Sequence, residues 1–87
     1  MQVMVELSLY PLAEKYIEPI KTFIERLHSY ENIEVDTSRT STQITGEYDY
    51  VMALLTKEMK ITHQQVGQAV FVAKVLNFDA MQSGPKE

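Results

Sequence analysis

IEVDTSRTSTQITGE, residues 33–47, decides the fold. Ile33, Val35 and Thr37 alternate with Glu34, Asp36 and Ser38, and beyond a short polar break Thr42, Ile44 and Gly46 alternate with Ser41, Gln43 and Thr45. A period of two on both sides of a polar turn is the signature of a hairpin. No Asn-Gly or Asp-Gly is present, so a four- or five-residue loop around Ser38–Ser41 is expected rather than a two-residue primed turn. The same stretch poses a functional question. From Thr37 to Asp49, nine of thirteen residues carry a side-chain hydroxyl or carboxylate, more than a turn alone requires.

Outward from the hairpin, the periodicity changes on each side. Upstream, Val3, Val5, Leu7 and Leu9 share one face of an alternating strand, with Met4, Glu6, Ser8 and Tyr10 on the other, and Pro11 ends it. From about Glu14 to Tyr30, Ile17, Ile20, Ile24 and Leu27 recur at helical spacing with Phe23 beside them and Lys21, Glu25 and Arg26 on the polar side. Pro19 fits the first turn, where its missing N–H is not needed. Downstream, Gly46 is the expected strand-to-helix break, and Tyr48, Met52, Leu55 and Met59 form a helical stripe widened by Val51 and Leu54, its end vague between Ile61 and Gln65. QAVFVAKVLNF, residues 68–78, is the last strand. Its faces are Val70, Val72 and Leu76 against Phe71, Ala73 and Val75.

The order is βαββαβ, which implies an α+β, ferredoxin-like sandwich: a four-stranded antiparallel sheet with two helices on one face. One such domain is expected over residues 1–78, with a frayed tail at 79–87. This architecture leaves the second sheet face bare. On it would stand Met4, Glu6, Ser8 and Tyr10, joined by either Val70, Val72 and Leu76 or Phe71 and Val75. An apolar patch of that kind calls for a second layer. A homo-oligomer, dimer or tetramer, built through sheet faces or edges is therefore expected, with a polar-lined pocket near the interface.

Composition removes several classes of function. The 87 residues carry a formal charge of -4 with no Lys/Arg cluster, against the concentrated positive charge that tracking nucleic-acid phosphates requires. No cysteine is present, which excludes disulfides, thiolate catalysis and sulfur-ligated metals. The N-terminal stretch has neither a basic region nor a long apolar run, and nowhere do 18 apolar residues follow one another. No membrane or nucleic-acid partner is expected, and the cytoplasm is the default location. His28 and His63 have no second ligand at metal spacing, so a structural or surface role is expected for both. The loop YPLAEKY at 10–16 lacks the glycine and arginine of an acylphosphatase-like phosphate cradle, and STQITGE lacks the stacking aromatics of an RNA-recognition motif. No nucleophile–base–orienter set, paired carboxylates of stated geometry or phosphate loop can be assembled, so no catalytic residues are assigned and an enzyme is the weaker class.

SLYPL at 8–12, the pattern T-x-x-x-S-T-x-I-x-G at 37–46 and GEYDYVM at 46–52 together resemble the YkoF-like family of thiamine- or hydroxymethylpyrimidine-binding proteins. The resemblance spans Met1 to about Asn77. It implies a ferredoxin-like subunit, assembled through its sheets, that binds thiamine or its pyrimidine moiety as a ligand, with no cofactor and no turnover. Thiamine presents an aminopyrimidine edge, a cationic thiazolium and two flat rings. Hydroxyls from Ser41, Thr42, Thr37 and Ser8 suit the edge. Glu6 or Glu47 suits the cation, and Tyr10 or Tyr48 offers a ring to stack on. Strict alternation puts Ser41 and Thr42 on opposite faces, so one of them points into a given pocket unless the hairpin bulges. Arg39 is expected to be a solvated turn residue, and Asn77 either caps the sheet or meets a ligand. The alternative is a regulatory or interaction module that uses the bare sheet to bind another protein.

Overall fold

The computed structural model describes residues 1–12 and 15–77. The elements run β1 (Gln2–Pro11), α1 (Ile17–His28), β2 (Ile33–Thr37), β3 (Thr42–Glu47), α2 (Tyr48–Val66) and β4 (Ala69–Asn77). The strands form one antiparallel sheet in the order β2-β3-β1-β4. The fold is the expected α+β, ferredoxin-like sandwich. The expected tail, 79–87, and the expected helix start at Glu14 lie outside the described residues.

Register fixes which residues share a face. Val3, Val5 and Leu7 stand beside Gly46, Ile44 and Thr42 on β3, and these positions face the helices. Val3, Val5, Leu7, Ile44, Phe23, Leu27, Val51, Leu54 and Leu55 make the core, with Leu9, Ile33, Val35 and Phe71 packed at its margin. The opposite face shows Met4, Glu6, Ser8 and Tyr10, which pair with Leu76, Lys74, Val72 and Val70. The choice left open for β4 is thereby settled: Val70, Val72 and Leu76 take the bare face. Phe71 turns inward, its ring 5.2 Å from that of Phe23.

Both helices begin and end on local chemistry. Pro19 is the third residue of α1, within the first turn, where no intrahelical acceptor exists for its N–H. Ser29 closes α1 by donating from its N–H and its hydroxyl to the Arg26 carbonyl. Ile17, placed in the apolar stripe by spacing, is 66% exposed instead, because it is the first residue of the helix. In α2 the buried stripe is Val51, Leu54, Leu55, Glu58 and Thr62, displaced from the expected Tyr48, Met52 and Met59, which pack only at its edge. Glu47 caps α2 by accepting from the N–H groups of Asp49 and Tyr50. Gly67, at φ 77°, ends it with a backbone that an L side chain would strain.

Gly46 is not the break between strand and helix. It lies inside β3, and a Cβ there would stand 2.9 Å from Val51 Cγ2 and 3.1 Å from Ile33 Cγ2. The glycine is required by close approach of α2 to the sheet, and its backbone has no special conformation.

A hydroxyl-rimmed cavity at the end of the sheet

β1 outruns its neighbour β3. Their pairing stops at Leu7↔Thr42, whereas β1 continues against β4 as far as Pro11↔Ala69. The turn 38–41 and the first half of α1 close around the overhanging end of β1 and leave a cavity of about 520 Å³. Leu7 and Leu9 line it from the sheet, Ile20, Phe23 and Ile24 from α1, and Leu12 and Tyr16 from the segment between. Ile20 and Ile24 are only half-buried because this side of the stripe faces the cavity.

The polar rim comes from the turn. Ser38 N–H donates to the Ser41 carbonyl at 2.8 Å, and Ser38 Oγ accepts from the N–H groups of Ser41 and Thr40. A serine side chain thus satisfies the backbone of its own turn. Two hydrogen bonds join the turn to β1: Ser8 Oγ donates to the Thr40 carbonyl at 3.0 Å, and Ser41 Oγ donates to the Glu6 carboxylate at 3.3 Å. Lys74 Nζ lies 3.5 Å from the same carboxylate.

Of the eight residues singled out from the sequence, five line this cavity: Ser8, Tyr10, Thr37, Ser41 and Thr42. Ser41 and Thr42 do take opposite faces. Thr42 is 6% exposed on the helix side, while Ser41 bonds to Glu6 on the bare face. Glu6 itself does not line the cavity. Glu47 lies at the other end of β3, five residues beyond Thr42 and roughly 17 Å away at strand rise. Its carboxyl is held below the usual range by the Tyr50 and Asp49 N–H groups that it caps, so it is excluded from this site and committed to α2. Tyr48 starts that helix and is equally distant in sequence. Among the described lining residues the ionisable side chains are Tyr10, Tyr16 and Arg39, with no carboxylate or imidazole.

His63 sits 3.1 Å from the Ala69 carbonyl and edge-on to Phe71, and among the described residues no group of three His, Asp or Glu could hold a metal ion. No described helix is long and apolar enough to cross a membrane.

A second polar cluster joins α1 to α2. Glu58, 4% exposed in the apolar stripe of α2, pairs with Arg26 of α1 at 2.5 Å and accepts from the Tyr30 hydroxyl at 2.6 Å. Arg26 also donates to Thr62 Oγ1 at 2.7 Å and to the Glu58 carbonyl and Gln65 Oε1 at 3.3 Å each. Burial pushes the Glu58 carboxyl up, but the Tyr30 hydroxyl and the Arg26 guanidinium outweigh it and hold the group below its ordinary value. The same hydrogen bond, followed by burial, raises Tyr30 to about 12. The available sequence signal was Glu58 standing three or four residues from Leu54, Leu55 and Thr62, a carboxylate in the middle of a buried stripe.

Similarity to known proteins is structural. No family model matches the chain, and no curated protein matches it by sequence. A Thermotoga maritima protein described as a candidate thiamine biosynthesis or salvage protein superposes with a TM-score of 0.81 at 19% identity, covering 88% of this chain and 84% of that one. A Streptococcus pneumoniae protein gives 0.83 at 22% identity over 88% and 87%. A Methanocaldococcus jannascii protein gives 0.76 at 22% over 87% and 79%. At these identities the likeness establishes the fold.

Proposed function

We propose that this protein binds thiamine or its hydroxymethylpyrimidine moiety, without chemical turnover, in the cavity between α1 and the 38–41 turn. The observation that carries the reading is the make-up of that cavity: about 520 Å³ with aliphatic and phenyl walls and a rim of hydroxyls. Sites for small molecules occupy about 300–1,000 Å³ and combine apolar walls with a few placed polar groups. The walls suit a flat ring, and Ser8, Thr37, Ser41 and Thr42 suit its hydrogen-bonding edge. The T-x-x-x-S-T-x-I-x-G resemblance to YkoF-like proteins supports this ligand class, as does the thiamine description of the Thermotoga relative in fold. Binding is favoured over catalysis because the described lining side chains supply no carboxylate or imidazole to act as a base near neutral pH.

Thermal unfolding with thiamine, its phosphates, hydroxymethylpyrimidine and a panel of amino acids tests the reading. A ligand at a hundred times its dissociation constant stabilises by about 2.7 kcal/mol, a rise of several degrees for a domain of this size. No rise with thiamine, its phosphates or the pyrimidine rejects the assignment.

The bare sheet face supports a second element of the proposal, self-association. Tyr10, Val70 and Val72 are 55%, 45% and 52% exposed and adjoin through the Tyr10↔Val70 and Ser8↔Val72 pairs. A homo-oligomer through this face is expected by sedimentation equilibrium, and Val72→Asp should convert it to monomer. A wild-type monomer at all concentrations would instead favour the alternative, an interaction module awaiting a different protein.

A further inference from the structure

The overhang of β1 exposes more than side chains. In an antiparallel strand the N–H and C=O of one residue point to the same side, and successive residues alternate sides. Two hydrogen bonds fix the parity in β1. Leu12 N–H donates to the Gln68 carbonyl at 3.0 Å, so the even residues turn toward β4; Tyr48 N–H donates to the Met1 carbonyl at 2.9 Å, so the odd residues turn toward β3. Val3, Val5 and Leu7 accordingly pair with Gly46, Ile44 and Thr42. The next odd residue is Leu9, whose register partner would be Thr40. Thr40 is in the turn, and its carbonyl accepts from Ser8 Oγ instead. Among the described residues no main-chain group bonds Leu9 on this side, and Leu9 lines the cavity.

We propose that the main-chain N–H and C=O of Leu9 recognise the adjacent donor and acceptor on the edge of an aminopyrimidine-class heterocycle lying in this cavity. The inference rests on the reading of the cavity as a small-molecule site. An extended residue presents its own N–H and C=O side by side, a donor beside an acceptor. An amino group next to a ring nitrogen is the complementary pattern. The overhang is too short for an extended peptide. Pro11, the next residue of the same parity, has no N–H, and the 38–41 turn stands in line with β3. The position therefore fits one planar group lying edge-on to Leu9 beside β1, with the α1 wall of the cavity on its helix side. Its unmet donor and acceptor supply a reason for specificity, since a ring without the amino group leaves main-chain polar groups dry.

The test is amide exchange and chemical shift in the ¹⁵N-labelled full chain, free and with two probes: 4-amino-5-hydroxymethyl-2-methylpyrimidine, and 2-aminopyrimidine as the minimal edge, with 2-methylpyrimidine as the control lacking the amine. In the free protein Leu9 should exchange quickly while Ser8 and Tyr10, bonded to β4, are protected. Each amino probe at a hundred times its dissociation constant should slow Leu9 about a hundredfold, and the control should not. Protection of free Leu9 equal to that of Leu7 overturns the inference, because the edge would already be paired. Binding of the hydroxymethylpyrimidine that shifts Thr42 but leaves Leu9 fast also overturns it, and leaves the thiamine reading standing. Protection of Leu9 by 2-aminopyrimidine alone does the reverse, keeping the inference and removing the thiamine reading. No effect of either probe overturns both.

Discussion

Two buried threonines divide the molecule. Thr62, 1% exposed on α2, accepts at its Oγ1 from Arg26 at 2.7 Å inside a cluster where Glu58, Tyr30 and Gln65 also take part. Thr42, 6% exposed at the start of β3, lines the cavity, and among the described residues its hydroxyl makes no hydrogen bond. Burial is nearly the same at both positions and partnership is opposite. Among the described residues no buried side-chain polar atom lacks a partner, so the Thr42 oxygen opens onto the cavity, where water or a bound molecule can meet it, whereas the Thr62 oxygen is engaged inside the protein. A polar cluster whose groups are mutually satisfied only holds helices together.

The comparison is broken most forcefully at Glu58. Glu58→Ala leaves Arg26 facing an apolar stripe and should lower stability by about 3–5 kcal/mol in denaturant unfolding, whereas replacing Arg26 and Glu58 together by methionine should recover most of that loss. Unchanged stability in the single variant would mean that the pair does not form. At the next level, Thr62→Val should cost about 1.5–3 kcal/mol, because the bond is to a charged group, and Thr42→Val should cost less than about 0.5 kcal/mol while weakening ligand binding about tenfold. Equal losses of stability at the two positions would erase the distinction. Gly46→Ala sharpens it from the packing side. The added Cβ meets Val51 Cγ2 at 2.9 Å and should destabilise by about 1–3 kcal/mol without altering ligand affinity.

Proton titration reports on the cluster between the helices. Tyr30 is raised from 10.0 to about 12, so its stabilising contribution is complete below pH 10 and is lost as pH rises toward 12. Glu58 is lowered, so its contribution is present above the ordinary carboxylate range and is lost as acid carries pH down through the depressed value. Unfolding midpoints measured from pH 9 to 12 should fall for wild type and fall less for Tyr30→Phe; parallel profiles would refute the hydrogen bond to Glu58. A small effect belongs to the pair of exposed Lys74 and half-buried Glu6. Lys74→Met should change stability by less than about 1 kcal/mol.

The alternation of Val3, Val5 and Leu7 and of Ile33, Val35 and Thr37, with two helical stretches between and after, was enough to read the order of elements, since period alone distinguishes strand from helix. It could not choose the inner face of β4, where both sides are apolar; only the register opposite Tyr10 and Ser8 does that. The hairpin hydroxyls were legible as a cluster because a tight turn gathers neighbours in sequence. Glu47 was misplaced for the same reason: nearness along the chain hid a strand length between it and Ser41. Ile20, Phe23 and Ile24 went unrecognised as cavity wall, because helical spacing says that they face the sheet and not where on the sheet they land. The overhang of β1, and with it Leu9, depends on unequal pairing on its two sides, which no local pattern encodes.

Ser38 gives the rim a further property. Its hydrogen bonds lie within the turn, so residues 38–41 are a preassembled unit, and the unit is latched to β1 by two side-chain bonds, Ser8 to Thr40 and Ser41 to Glu6. Each is worth about 0.5–1.5 kcal/mol net, up to about 3 for the one to the carboxylate, which puts an unlatched state in the range of percent-level minor populations. Ser8→Ala removes one of the two bonds and should raise the mobility of residues 38–41 relative to β1, read as faster amide exchange across the turn, while leaving the fold unchanged.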